Sequence, residues 1–93
     1  MKNYAVFLEG SNFRLRSDEP EVLSGFFFTK RVLAASSVEA AAFAIQSAWL
    51  DPRIAGQENN TPRPHIEASV VHELLDSNRM RDTDYQVFDM EAP

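Results

Sequence analysis

The stretch Gly25 to Ser36, GFFFTKRVLAAS, decides how this chain folds. Three aromatic residues in a row, then Thr29 and Val32, favour an extended strand. A strand turns successive side chains to opposite faces. Phe26, Phe28, Lys30, Val32 and Ala34 therefore share one side, and Phe27, Thr29, Arg31, Leu33 and Ala35 the other. Each side starts with bulky rings and carries a cation in its middle, so neither side is plainly polar. An antiparallel sheet ordinarily buries one face and wets the other. This strand reads as one whose second face is at least partly covered.

The next segment supplies one layer of cover. Ser36 and Glu39 have the spacing of a capping box, with a helix from Val38 to Leu50 behind them. At about 100° per residue, Val38, Ala41, Ala42, Ile45, Ala48 and Trp49 form the expected inner stripe. Phe43 and Leu50 fall off it, at the core margin or facing a partner. Asp51-Pro52 ends the helix, because proline lacks a donor and restricts the residue before it. Residues 53–64 are polar and rich in turn formers, and read as a flexible loop in which Ile54 is pinned down.

Working outward, Asn3 to Glu9 alternates as a first strand, with Tyr4, Val6 and Leu8 on one side. Gly10-Ser11-Asn12 reads as a turn, and Phe13 to Arg16 as a short edge extension. His65 to Leu75 alternates again, placing Ile66, Ala68, Val70, His72 and Leu74 together if the strand is regular. A helical reading of Ala68 to Leu75 stays open, since short segments are ambiguous. Asp76 to Asp84 reads as a charged turn and Tyr85 to Met90 as a last strand. The expected architecture is a single α+β domain over residues 1–93, a two-layer sandwich in the order β-β-α-β-β. Its four main strands form an antiparallel or mixed sheet under one helix.

Composition narrows the function. The 93 residues contain no cysteine, which removes disulfides and thiolate chemistry. No stretch approaches the roughly 18 apolar residues of a membrane span. The apolar run near the N-terminus stops at Glu9, short of a secretory signal, and the cytoplasm is the expected location. The formal net charge of −5 works against nucleic acid at long range. His65 and His72 fall on opposite faces of a regular strand, and His65 with Glu67 offers only two ligands, so no metal or cofactor is expected. Ser36 and Ser37 are explained by capping. Asp82, Asp84 and Asp89 read as solvated, and no reaction is assigned.

Glu9-Gly10-Ser11-Asn12-Phe13 and Gly25-Phe26-Phe27-Phe28-Thr29-Lys30-Arg31-Val32, followed by the alanine-rich helix, resemble a small bacterial family of uncharacterised proteins. The resemblance covers the first half of the chain. It implies a small α/β protein and carries no activity, cofactor or catalytic residue.

The expectation is a small soluble protein that self-associates. One helix is about 10 Å wide and cannot cover a four-stranded sheet on both sides. A homodimer is the simplest cover, with Phe26, Phe28, Phe43 and Leu50 as interface residues and Phe28 as the place where a charge would break it. In the opposing view, the polar loop folds back over the rings. The alternatives are a binding module and a minor enzyme. The former takes an acidic ligand or nucleic acid on Asn12, Arg14, Arg16, Lys30 and Arg31, and the latter is marked by a deep pocket with a histidine–carboxylate pair.

Overall fold

The computed structural model describes residues 1–16, 18–19, 21–74 and 86–90. It comprises β1 (Lys2–Phe13), β2 (Ser24–Ala34), α1 (Ser37–Trp49), β3 (His65–Leu74) and β4 (Gln86–Asp89). The order is the expected β-β-α-β-β, and one helix packs on a four-stranded sheet. The sheet runs β3-β1-β2-β4, and its three pairings are all antiparallel. The two longest strands thus sit in the centre and β3 and β4 at the edges. The expected turn at Asp76 to Asp84, and Leu75 and Tyr85, lie outside the described residues.

The three phenylalanines divide as a period of two demands. Phe26 is 0% and Phe28 8% exposed, under the helix, while Phe27 is 46% exposed on the other face. Phe26 packs against Phe13 and Phe28, with ring centroids 5.3 and 5.8 Å away. Tyr4, Val6 and Leu8 complete this side of the sheet, joined by Ile66 of β3. Each such ring or branched side chain taken from water contributes about 1.5–3 kcal/mol before entropy is counted.

The helix begins as its sequence requires. The Ser36 hydroxyl accepts a hydrogen bond from the Glu39 N–H at 3.2 Å. The Glu39 carboxylate reaches back to accept from the Ala35 N–H at 3.3 Å, one residue beyond the usual capping-box target. The inner stripe differs from the expected one. Ala40, Ala44 and Ala48 are buried, whereas Val38 is 80% exposed and Ala42 also faces water. The stripe is turned by about one residue, roughly 100°. The cause lies in the sheet, which already fills the interlayer space with Phe26, Phe28, Leu8 and Tyr4. Small residues must face it, and Ile45 and Trp49 pack along the flank instead.

Two local readings are corrected. Gly10 is not a turn residue: it lies inside β1, paired with Phe26 on one side and Ile66 on the other. A Cβ placed there would stand 2.1 Å from Phe26 Cε2, so the glycine exists to let that ring lie across the strand. The irregularity comes just after it. The β1–β2 register shifts between Gly10 and Phe13, and Asn12 takes a positive φ of 63°. Asparagine tolerates that left-handed conformation better than most residues. Finally, β3 is not regular. Phe7 pairs with Val70 and Leu8 with Ala68, leaving Ser69 as a bulge. Ile66, Ala68 and Val71 therefore face the helix, while Val70, His72 and Leu74 face the other way.

The segment 53–64 is tied to the core rather than to the second face of the sheet. Ile54 is 1% exposed and joins the cluster of Phe13 and Phe26. Gln57 accepts from the Arg14 N–H at 2.8 Å and donates to the Arg14 carbonyl at 3.1 Å, imitating a strand partner. The helix and this segment together shelter Phe26 and Phe28. No second subunit is needed for those two rings, and they are not surface residues available to one.

Candidate functional site

The sheet face opposite the helix is set by the register. Three rows cross β2, β1 and β3 in that order. They are Arg31–Ala5–His72, Thr29–Phe7–Val70 and Phe27–Glu9–Glu67. Gln86 of β4 pairs with Phe27 and extends the last row, and Phe88 pairs with Gly25 beyond it. Gly25 makes room for Phe88, whose Cζ would lie 2.3 Å from an added Cβ. Phe88 then stacks on Phe27 with centroids 5.0 Å apart and planes at 26°.

This face is more apolar than a solvated one. Leu33, Val70 and Phe88 are exposed on it together with Phe27. Phe7 meets the His72 ring edge-on at 6.3 Å. Between the rows lies a depression of about 360 Å³, lined by Phe7, Phe27, Thr29, Ser69, Val70 and Gln86 among others. The Ser69 hydroxyl is turned back to the Phe7 carbonyl, 3.2 Å away. Among the described residues, the lining of this depression contains no histidine–carboxylate pair.

The sequence-derived ligand residues do not converge. Arg31 lies on this face at the Ala5 row, bonded to Asn3 Oδ1 at 3.3 Å. Lys30 is on the helix side, opposite Val6. Arg14 and Arg16 lie past the other end of β1, beyond the Phe13–Ser24 pair. Seven residues of β2 separate Ser24 from Arg31, about 23 Å of extended chain. Arg14 donates to the Thr61 carbonyl at 3.3 Å, and Arg16 pairs with Asp18 at 3.1 Å and Glu19 at 3.6 Å. The Arg16 hydrogen bond holds the Asp18 carboxyl below the usual carboxylate range. Asn12 is occupied too: its backbone N–H donates to Met90 Sδ at 3.2 Å and its side chain to the Arg63 carbonyl at 3.2 Å.

The histidine geometry also differs from expectation. The Ser69 bulge brings His72 to the same face as His65, because one extra residue reverses the alternation. Seven residues still part them, about 20 Å or more along the strand. His65 Nε2 lies 3.9 Å from Glu67 Oε2, and among the described residues no group of three or more potential metal ligands forms. At the far end of the sheet, Lys2 pairs with Glu73 at 3.1 Å. That hydrogen bond and the charge of Glu73 raise the Lys2 ammonium above its ordinary range.

Of the sequence-derived interface residues, Phe43 and Leu50 are exposed on the outer side of α1, whereas Phe26 and Phe28 are in the core. Among the described residues, the exposed large apolar side chains on the face opposite the helix are Phe27, Leu33, Val70 and Phe88, while Val87 is exposed on the helix side of β4. Alternation along β2 already put Phe27 and Leu33 together. Regular alternation places Val70 on the helix side, and the bulge that turns it to the other face carries no sequence signal of its own. Among the described residues no helix is long and apolar enough to cross a membrane. No protein-family model, curated protein or solved structure matches the chain.

Proposed function

We propose that this chain is a self-associating α+β module, a homodimer formed through the helix-free face of the sheet. The observation that supports it is the stacked, half-exposed pair Phe27 and Phe88, continued by Val70 and Leu33 on the same face. A phenylalanine side chain carries about 150–250 Å² of surface. Covering the exposed part of Phe27 is worth about 2 kcal/mol per copy at ~25 cal/mol per Å². Among the described residues, the helix and the 53–64 segment are both committed to the other face, and Phe27, Leu33, Val70 and Phe88 stay exposed on this one. The dispersal of the arginines and Lys30 makes an acidic-ligand or nucleic-acid module the less supported reading. A cytoplasmic setting and kinship with the small bacterial family that the first half resembles complete the proposal.

Light scattering over a concentration series tests it, with the Phe27→Asp variant alongside. The parent chain is expected to rise from 10.5 kDa towards twice that mass. Phe27→Asp is expected to stay at the mass of one chain while keeping its fold, because Phe26 and Phe28 are untouched. A parent chain that remains at 10.5 kDa throughout overturns the reading.

A further inference from the structure

The charges on the helix-free face are segregated along the strands, and this segregation selects one way of stacking two copies. Glu9 and Glu67 are directly opposite each other across β1 and β3. Such a like-charge cross-strand pair is unfavourable by itself. His65, 3.9 Å from Glu67, is a partner at the outer side only. Four residues along β1, the row through Ala5 carries Arg31 and His72. Midway between these rows lies Thr29–Phe7–Val70, without a charge.

We propose that the dimer's two-fold axis runs across the strands, over the Thr29–Phe7–Val70 row. This rests on the self-association reading and adds its geometry. Rotation about that axis lays each strand antiparallel over its own copy and exchanges the two outer rows. Glu67 comes to lie over His72 of the second copy, and Glu9 beside the row that holds Arg31. Phe27 comes to lie over Arg31 of the second copy, where the guanidinium can rest on the ring face. Val70, 45% exposed, and the half-buried Phe7 meet their own counterparts near the axis, while Thr29 is already buried within the chain. An axis along the strands does the opposite. It sets Glu9 over Glu9 and turns β3 onto β2, bringing Arg31 towards His72. The Glu9 and Glu67 carboxylates are thus brought to the row of the Arg31 cation and the His72 imidazole N–H, with carboxylate kept off carboxylate, and such complementarity fixes the register of an interface.

The dimensions suit sheet-on-sheet packing. Three strands about 4.8 Å apart over ten residues of about 3.3 Å give a plan area on the order of 500 Å². Side chains standing up from it bring the accessible area towards the ~800 Å² per partner of a standard interface. Aligned sheets pack about 10 Å apart and cross at about 30°, so the side chains of the middle row can interdigitate.

The cysteine-free chain makes the test direct. Single cysteines are placed by Val70→Cys, Glu67→Cys and His72→Cys and treated with a short bifunctional thiol reagent. Val70→Cys is expected to cross-link to itself. Glu67→Cys and His72→Cys are expected to cross-link several-fold better when mixed than either does alone. Glu67→Lys is expected to weaken dimerisation about fivefold, and Glu67→Lys with His72→Glu to restore it. Suppose the parent has the dimer mass, but Val70→Cys links only to Thr29→Cys, or the mixture links no better than the singles. The axis is then wrong while self-association stands. A parent mass of one chain removes both.

Discussion

Gly10→Ala tests the packing on which the fold depends. The new Cβ would stand 2.1, 2.4 and 2.6 Å from three atoms of the Phe26 ring, more than 1 Å inside ordinary contact. The ring has no room to withdraw. It is fully buried, with Phe13 at 5.3 Å and Phe28 at 5.8 Å. Overpacking a core of this kind costs about 1–3 kcal/mol. Alanine returns about 0.5–1 kcal/mol by restricting the unfolded chain, since Gly10 is not at positive φ. Three contacts this short place the cost at the upper end of that range, so the net expected loss is about 2 kcal/mol, against a total stability on the order of 5–14 kcal/mol for a domain of this size. Urea denaturation followed by the fluorescence of Trp49, the single tryptophan, reads it at fixed protein concentration. With a slope of about 1–2 kcal/mol per molar, the midpoint should fall by about 1–2 M. Phe26→Leu removes the obstructing ring atoms at its own cost of about 1–2 kcal/mol. The double variant should therefore lose less than the sum of the two single losses, by about 1 kcal/mol or more. A Gly10→Ala protein as stable as the parent, or additive losses in the double variant, refutes the account of this glycine as a cradle for Phe26.

The helix offers two more tests. Ser36→Ala removes the acceptor for the Glu39 N–H and should cost about 1 kcal/mol in the same urea assay; an unchanged midpoint would show the cap to be idle. Trp49→Ala should cost about 2 kcal/mol by circular dichroism, below the ~3–5 kcal/mol of a fully buried aromatic, because the indole is half-buried on the flank of the helix against Phe13. A loss above about 4 kcal/mol would place it at the centre of the core instead.

Much of the architecture is present in local patterns. The alternation along Tyr4, Val6 and Leu8 and along Phe26 and Phe28 reaches the correct face in each strand, because two-residue alternation is a property of the extended backbone. Ser36 and Glu39 mark the helix start because a cap acts within one turn. Asp51-Pro52 marks its end for a similarly local reason. What fails is the choice among equivalent solutions. A stripe through Val38 and a stripe through Ala40 are both acceptable helical faces, and only the bulk of Phe26, Phe28 and Leu8 opposite selects the smaller one.

The candidate site divides along the same line. Phe27 and Leu33 were legible as one face of one strand. Their union with Val70 and Phe88 required the strand order β3-β1-β2-β4, which places segments more than forty residues apart side by side. The basic residues show the reverse. Arg14, Arg16, Lys30 and Arg31 look like a group in the sequence, but the sheet sends them to different faces and opposite ends.

By itself the chain of residues determined the elements, their order, the capped helix start and the division of the phenylalanines, since each arises from backbone geometry within a few residues. Only the tertiary structure decided the strand order, the bulge at Ser69, the role of Gly10 and the charge rows of the open face. Each of those depends on which distant residue lies alongside, and close packing between strands settles that rather than local preference.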